Sequence, residues 1–494
     1  MYIGTQELLK QYDAYLLEHG HTIEELVDLA SDALFGSFTS FNNLAILVGP
    51  GNNGADGLSL GLKLKEIGKK VTYYYTGDIG KLSEANRYYR EKCDEGSLIY
   101  VDEENLNSID WNIYDCIVDA FFGFGLNSAP RGMYKRMIER INTEYLGQVG
   151  AIDIPTGLNC NTGKAYDGAL KAHFTITLTA IKQGFINPQS IDYTGKVYLK
   201  TLKVGDCFKE AGLFEIADMD YAKEHLRERN YYGYKNIYGV DGLIVGSNQY
   251  TGAPLLATKA AYYTGAGIVK TLTTQKVADA LPLYIPEAIP VVRPDIFHYD
   301  DFDGYDALLI GSGLGLEESS FRAVIDIMTA SICPLVLDGD ALTIISRNMH
   351  LLEKQDRPII LTPHIGEFKR LCNIDEYPDL MIAARSFAQK YHLILVLKGP
   401  RTIVTDGHTS YRVASGNKAM AVGGMGDTLA GIITSLVGQG YEAIDAAVLG
   451  VYIHGKAGDE VAKSAYTVIP EKLIDEIPHV MAEIIENKQK SLMR

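Results

Sequence analysis

Two α/β domains built on parallel sheets are predicted for this chain, and three observations carry the prediction. Apolar, β-rich runs alternate with amphipathic helical stretches almost throughout. The alternation starts afresh after residue 236. At 494 residues the chain also exceeds one ordinary domain. Apolar residues make up 47% and charged residues 22%, so sizeable cores are expected and extensive disorder is not.

In the first half the expected strands are Leu44–Val48, Lys70–Tyr75, Cys116–Asp119, Val149–Ile154 and Phe174–Thr179, with helices between them such as Leu58–Ile67 and Ser83–Lys92. In the second half they include Leu243–Val245, Ile268–Thr271, Ala307–Ile310, Leu335–Leu337, Ile359–Leu361 and Leu393–Leu397. Phe208 to Asn236 is rich in charge and tyrosine and has no phosphate-type glycine loop, so the junction is placed there. The expected layout is a domain over 1–207, a linker over 208–235 and a domain over 236–494.

The formal net charge of -16 argues against nucleic acid or an anionic membrane as partner, although a local basic patch can still hold a phosphate. Six dispersed cysteines without a CxxC pair suit a reducing cytosol better than a disulfide framework or a zinc site. Met1 to Lys10 does not read as a signal peptide, and no apolar run approaches the roughly 20 residues that span a bilayer. A cytoplasmic protein acting on small molecules is expected, and a homo-oligomer remains open.

Val48-Gly49-Pro50-Gly51-Asn52-Asn53-Gly54-Ala55-Asp56-Gly57 follows a strand and opens a helix. Gly49, Gly51 and Gly54 satisfy GxGxxG, and Asp78 lies where a ribose-binding acid would sit, so an NAD-dependent dehydrogenase is one reading. Pro50 stiffens the turn, however, and the asparagine pair adds amides that a pyrophosphate held by backbone N–H groups does not need. Asn53 and Asp56 present oxygens suited to a cation or a sugar hydroxyl. Asp119, before Phe121 to Ser128, and Asp153, in Ala151 to Asn159, end later strands. Singly each reads as a cap or turn former; together, on the carboxyl edge of one parallel sheet, the three loops can converge on one ligand.

GNNGADG, DAFFGFGLNS and DIPTGLNCNTG, in this order, resemble the NAD(P)H-hydrate epimerase domain over roughly residues 1 to 205. The resemblance implies a Rossmann-like fold and a potassium ion held by Asn53, Asp119 and Thr156, all oxygen donors. It makes Asp153 the substrate-contacting carboxylate and our candidate acid/base. Asn52, Asn53, Gly54, Ala55 and Asp56, with Gly123, Phe124, Gly125, Leu126, Asn127, Ser128 and Ala129, become substrate-binding. Ala55 stands where Gly is common in that family and Thr156 where Ser is common.

The strongest single motif is Gly423-Gly424-Met425-Gly426-Asp427-Thr428-Leu429-Ala430-Gly431. Glycines there bring N–H groups to a helix N-terminus, which stabilises phosphate charge, and Asp427 is placed to take a proton from an attacking hydroxyl. A helix cap is the alternative role for Asp427. Lys398-Gly399-Pro400-Arg401-Thr402 ends a strand with two cations and a turn, apt for nucleotide phosphates. His364 and Glu367 stand at the top of a further helix, where a lone histidine is usually a cap or solvated. The loops Gly311 to Gly315 and Leu337 to Leu342 complete the set.

This half resembles the ribokinase-like superfamily, and more closely its NAD(P)H-hydrate dehydratase branch, over about residues 235 to 490. By residue-wise transfer, Ala253, Gly313, His364 and Asp427 contact the hydrate, while Lys398 to Thr402 and Gly426 hold the adenine nucleotide. Ser312 replaces a common Pro and Val422 a common Thr. The fused arrangement resembles the bacterial, ADP-dependent form of the family, so ADP with Mg2+ is the expected phosphate donor. The implied work is repair of hydrated NADH and NADPH, one domain epimerising the hydrate and the other dehydrating it. A dehydrogenase leaves the GGMGD block idle. A ribokinase-like small-molecule kinase fused to a non-catalytic nucleotide-binding module is the other alternative.

Overall fold

A run such as Asn-Leu-Ala-Ile-Leu-Val carries apolar side chains on both faces, so it needs a sheet covered on both sides. The computed structural model describes the whole chain except residues 205–206, 209–211, 354, 375–378 and 493–494. It divides the chain into two units, Met1–Phe214 and Glu215–Arg494.

In the first unit that run is β2 (Asn43–Val48). It lies inside a parallel sheet ordered β4 (Leu98–Tyr100), β3 (Lys70–Tyr75), β2, β5 (Cys116–Ala120), β6 (Gln148–Ile152), β7 (Phe174–Leu178), β9 (Lys196–Lys200). Leu44, Ile46 and Val48 enter one core with α2 (Ile23–Phe38) and α3 (Asn52–Glu66). Ala45 and Leu47 enter a second core, on the side of α5 (Gly132–Glu144). Apart from this sheet, β1 (Tyr2–Gly4) pairs in parallel with β8 (Ile181–Lys182), setting Gly4 opposite Lys182, and leads into α1 (Gln6–Glu18). The helices α4 (Glu84–Glu91) and α6 (Ile191–Thr194) complete the unit's described α-helices.

Among the boundaries that differ from those read in the sequence, three shape the site. β6 stops at Ile152 and β7 at Leu178, because Asp153 (φ +66°) and Thr179 (φ +70°) adopt left-handed backbone that no strand continues through. α3 begins at Asn52, so the asparagine loop is itself the helix's first turn. Its tight entry needs Gly49: a Cβ there would lie 1.6 Å from the Phe121 carbonyl oxygen.

The second unit orders β13 (Ile289–Val292), β12 (Ile268–Thr273), β11 (Val240–Ile244), β14 (Ala307–Ile310), β15 (Leu335–Leu337), β16 (Ile359–Leu361) and β17 (Ile394–Leu397) in parallel. β18 (Ile403–Thr405) runs antiparallel to both β17 and β19 (Ser410–Val413). Glu215 to Ala217 of β10 (Phe214–Ala217) pair with β19. The helices are α7 (Met219–His225), α8 (Gly252–Thr264), α9 (Gln275–Tyr284), α10 (Glu318–Ala330), α11 (Asp340–Ser346), α12 (Ile365–Cys372) and α13 (Leu380–Tyr391), followed by α14 (Met425–Gly438), α15 (Ala443–Ala462) and α16 (Pro470–Leu492). Thr428 to Gly438 of α14 are all buried, which explains their near-absence of charge. The division into units falls inside the segment expected to be a linker, and part of that segment is folded. Ala217, Tyr221, Ala222 and Leu226 are buried in the second core. Among the described residues no helix is long and apolar enough to cross a membrane.

Asp241 on β11 is fully buried, and neither carboxylate oxygen has a hydrogen-bond partner. Burial, with Asp306 adding, raises its carboxyl well above the usual range. The fold therefore takes up a proton there, and stability falls as pH rises above the unfolded-state value, by about 1.4 kcal/mol per pH unit while the folded form stays protonated. Asp241→Asn is expected to raise the denaturation midpoint at pH 7, with the gain shrinking towards pH 4. A gain independent of pH would contradict this protonation.

Candidate active sites

The carboxyl edge of the first unit's sheet opens into a cavity of about 460 Å³. Asn52, Asn53, Asp56, Gly123 to Leu126 and Asp153 all line it, as the convergence of the three loops requires. Gly54 and Ala55 are instead buried, and a Cβ on Gly54 would strike the Gly49 carbonyl oxygen at 2.1 Å. Their role is to let the turn close. Asn127 and Ser128 are exposed, and neither they nor Ala129 line the cavity. Asp78, the acid a dehydrogenase would use on a ribose, caps a short helical turn through the Gly80 N–H at 2.9 Å and lies outside the cavity.

Asp119 and Thr156 form one buried unit. The Thr156 N–H donates to Asp119 Oδ2 (2.7 Å), its hydroxyl to Oδ1 (2.8 Å), and Phe121 N–H to Oδ1 (3.2 Å). Burial raises the Asp119 carboxyl to about 6 against these bonds, and no basic side chain pairs with it among the described residues. Asn53 Nδ2 is buried without a partner.

Sequence reasoning missed Asp13 and Lys182, which line the same cavity. Lys182 is almost wholly buried; its ammonium donates to Asp153 Oδ1 and to the Leu178 carbonyl (3.0 Å). Both Asp153 and Thr179 sit at the apex of a γ-turn, closed by Ile154 N–H to Ile152 O (2.8 Å) and Ala180 N–H to Leu178 O (2.7 Å). γ-turns with positive φ are strained, and two of them side by side in one cavity are the kind of cost that function retains.

In the second unit, a cavity of about 520 Å³ is lined by Ala253, Gly313 and Asp427, with Gly423, Gly424 and Asp340. Ala253 and Gly313 touch: a Cβ on Gly313 would lie 2.8 Å from that of Ala253. Gly424 (φ +90°) caps α14 with no side-chain cap, so the helix's first N–H groups have no intrahelical partner, and Asp427 lies in its first turn. Asp427 is pushed up to about 6 by burial and by Asp338, with Lys398 opposing.

Lys398, in the loop expected to hold a nucleotide, also meets a carboxylate. Its ammonium donates to Asp338 Oδ1 at 2.9 Å, and that carboxylate also accepts from Thr362 (2.7 Å) and Ser312 (3.1 Å). Burial would raise Asp338, but Lys398 and these donors hold it below the usual range. Gly426 faces the pair, its Cβ position 3.2 Å from the ammonium. Gly399 to Thr402 do not line the cavity. His364 is an N-cap, its Nδ1 accepting from Gly366 N–H (2.9 Å) and Glu367 N–H (3.3 Å), with Glu367 returning the bond. Asp338 and Asp340 lay in a loop noted in the sequence, but nothing local revealed which lysine the first would meet.

Breaking a buried ion pair on one side strands a charge, which costs about 3–5 kcal/mol. Lys182→Met should destabilise the first unit by that order, and adding Asp153→Asn should recover much of the loss. Additive losses in such a double-mutant cycle would show that the two side chains are not coupled.

The chain matches the family model for NAD(P)H-hydrate dehydratase over residues 242–479 and that for the YjeF-related protein N-terminus over residues 20–184. It is 31% identical to a bifunctional NAD(P)H-hydrate repair enzyme of Thermofilum pendens, over 85% of this chain and 83% of the relative. It is also 31% identical to the enzyme of that name from Vibrio cholerae, over 93% of each. A ribokinase-like superfamily protein of Enterococcus faecalis, solved by crystallography, superposes with a TM-score of 0.50 at 29% identity, covering 55% of this chain and 96% of that one. The chain belongs to the family of bifunctional NAD(P)H-hydrate repair enzymes.

Proposed function

We propose that the chain repairs hydrated NADH and NADPH, with Met1–Phe214 interconverting the R and S hydrates and Glu215–Arg494 dehydrating the S hydrate at the expense of ADP. The observation that carries the reading is Asp427 in the first turn of α14, in a cavity edged by glycine N–H groups and beside the buried Lys398–Asp338 pair. Hydroxide is a poor leaving group, and phosphorylation turns the carbon 6 hydroxyl into a good one. Asp427 takes the hydroxyl proton as the oxygen attacks the terminal phosphoryl group of ADP, and the helix N-terminus and Lys398 offset the charge that develops. AMP departs; phosphate then leaves carbon 6, assisted by the ring nitrogen, carbon 5 gives up a proton to solvent, and the double bond of the reduced nicotinamide is restored. By the resemblance, Ala253, Gly313 and His364 contact the hydrate, and Lys398 to Thr402 with Gly426 serve the nucleotide; of these, Ala253 and Gly313 line the cavity. Magnesium accompanies the diphosphate, and Asp340 is the cavity carboxylate suited to it.

In the first cavity Asp153 touches the hydrate, held in place by Lys182. Potassium is assigned to Asn53, Asp119 and Thr156, which fit it: all offer oxygen, and Asp119 is a buried carboxylate with no basic partner among the described residues. When bound, the ion supplies positive charge that fixes the asparagine and Gly123–Leu126 loops. No two of the six cysteines are joined in a disulfide, in keeping with the cytoplasm as the compartment.

Asp427→Asn keeps the shape but removes the base, so dehydration should fall about 100- to 10,000-fold while epimerisation persists. With its carboxyl near 6, the wild-type dehydration rate should fall on the acid side of about pH 6, where the base is protonated. A variant that dehydrates at the normal rate would leave Asp427 as a cap only.

A further inference from the structure

Epimerisation moves protons as well as an oxygen, and a lone carboxylate tied to a lysine is a poor proton donor. The first cavity holds the donor it needs. On α1, Leu9, Asp13, Leu16 and Leu17 follow one another at i, i+4, i+7 and i+8, so a carboxyl interrupts an apolar stripe that lines the cavity. The position is built: Thr5 caps the helix, the Asn161 side chain accepts the Gln6 N–H (2.7 Å), and the β1–β8 register sets the start of α1 beside Lys182. Asp13 lies before residue 20, where the match to the epimerase-type family model begins.

The titratable groups facing Asp13 come from other elements: Asp56 of α3, Asp153 after β6 and Lys182 of β8, with Cys160, pushed up to about 12 by burial, coupled to the last two. Three carboxyl groups thus share one ammonium, and Lys182 bonds Asp153. No hydrogen bond or ion pair engages the Asp13 carboxyl among the described residues, so the excess proton has a place to reside. Asp13 keeps an exposed face towards the cavity; desolvation by the surrounding protein, then Asp153, raise its carboxyl to about 7 against Lys182, and Asp56 is also raised well above its ordinary value.

We propose that Asp13 is a catalytic residue of the epimerase site, the acid that protonates the oxygen on carbon 6. This rests on the epimerase reading above. The C–O bond breaks with both electrons going to oxygen, which leaves as water carrying the Asp13 proton, while the ring nitrogen lone pair closes a C=N bond. Water then adds to the opposite face of carbon 6, its proton passes to Asp153, and the carboxyl cluster returns that proton to Asp13. No redox change and no net proton uptake occur.

The test starts from one purified hydrate epimer and the full chain, without nucleotide, in heavy-oxygen water. Wild type should form the other epimer with one solvent oxygen incorporated, at a rate that falls as pH rises above about 7. Asp13→Asn should lower kcat about 100-fold or more with KM nearly unchanged, and should lose that basic limb. Asp13→Glu, which keeps the carboxyl, should restore part of the rate and the limb, and it decides the matter if the asparagine variant melts early. Asp13→Asn at the wild-type rate, Asp13→Glu as inactive as Asp13→Asn, or retention of the original oxygen would overturn the proposal alone. A wild-type chain that does not epimerise at all would overturn the epimerase reading and this proposal with it.

Discussion

A carboxylate withdrawn from water must find a compensating charge or hold its proton, and at each site one lysine answers this constraint for one carboxylate. Lys182 pairs with Asp153, and Lys398 pairs with Asp338. At both sites the carboxyl groups outnumber the lysine, so others are left without an ammonium of their own. They include Asp13, raised to about 7, and Asp56 in the first unit, and Asp427, raised to about 6, in the second. The lysine bonds one carboxylate and leaves a neighbouring carboxyl poised for proton transfer near neutral pH. Replacing either lysine would alter the charge balance of the entire cluster.

The sheets make these clusters possible. In a parallel sheet every strand delivers its following loop to the same edge, so Asp56, Asp119 and Asp153 come close in space from distant points in the sequence. The same geometry sets Asp338 after β15 against Lys398 after β17. The buried helix α14 then points its N-terminus at this edge, adding oriented N–H groups that need no rearrangement when phosphate charge develops.

The strands were legible because those buried on both faces read as continuous apolar runs; Lys70–Tyr75, Ala307–Ile310, Leu335–Leu337 and Ile359–Leu361 have the same bounds in sequence and structure. Loops at strand ends were legible by their glycines. Lys182 and the Lys398–Asp338 bond were not, because which lysine reaches which carboxylate depends on packing between elements far apart in sequence. The γ-turns at Asp153 and Thr179 have no glycine to announce them, so the strands seemed one or two residues longer. Asp13 did carry a signal, a charge on a leucine stripe, which only a search for misplaced polar residues would have raised. His364 caps α12 through Nδ1, the role the sequence reading gave to a lone histidine at a helix top.

The two units matter together because a dehydratase whose anion site faces one hydroxyl configuration leaves the other epimer untouched. The most direct measurement supplies the full chain with an equal mixture of R and S hydrates, with and without ADP, and follows the absorbance of reduced nicotinamide. The account predicts rapid, complete recovery with ADP, one AMP and one phosphate per hydrate, and none without it. Recovery that stalls near half, or that proceeds without a nucleotide, would contradict the coupling of an epimerase to a nucleotide-driven dehydratase.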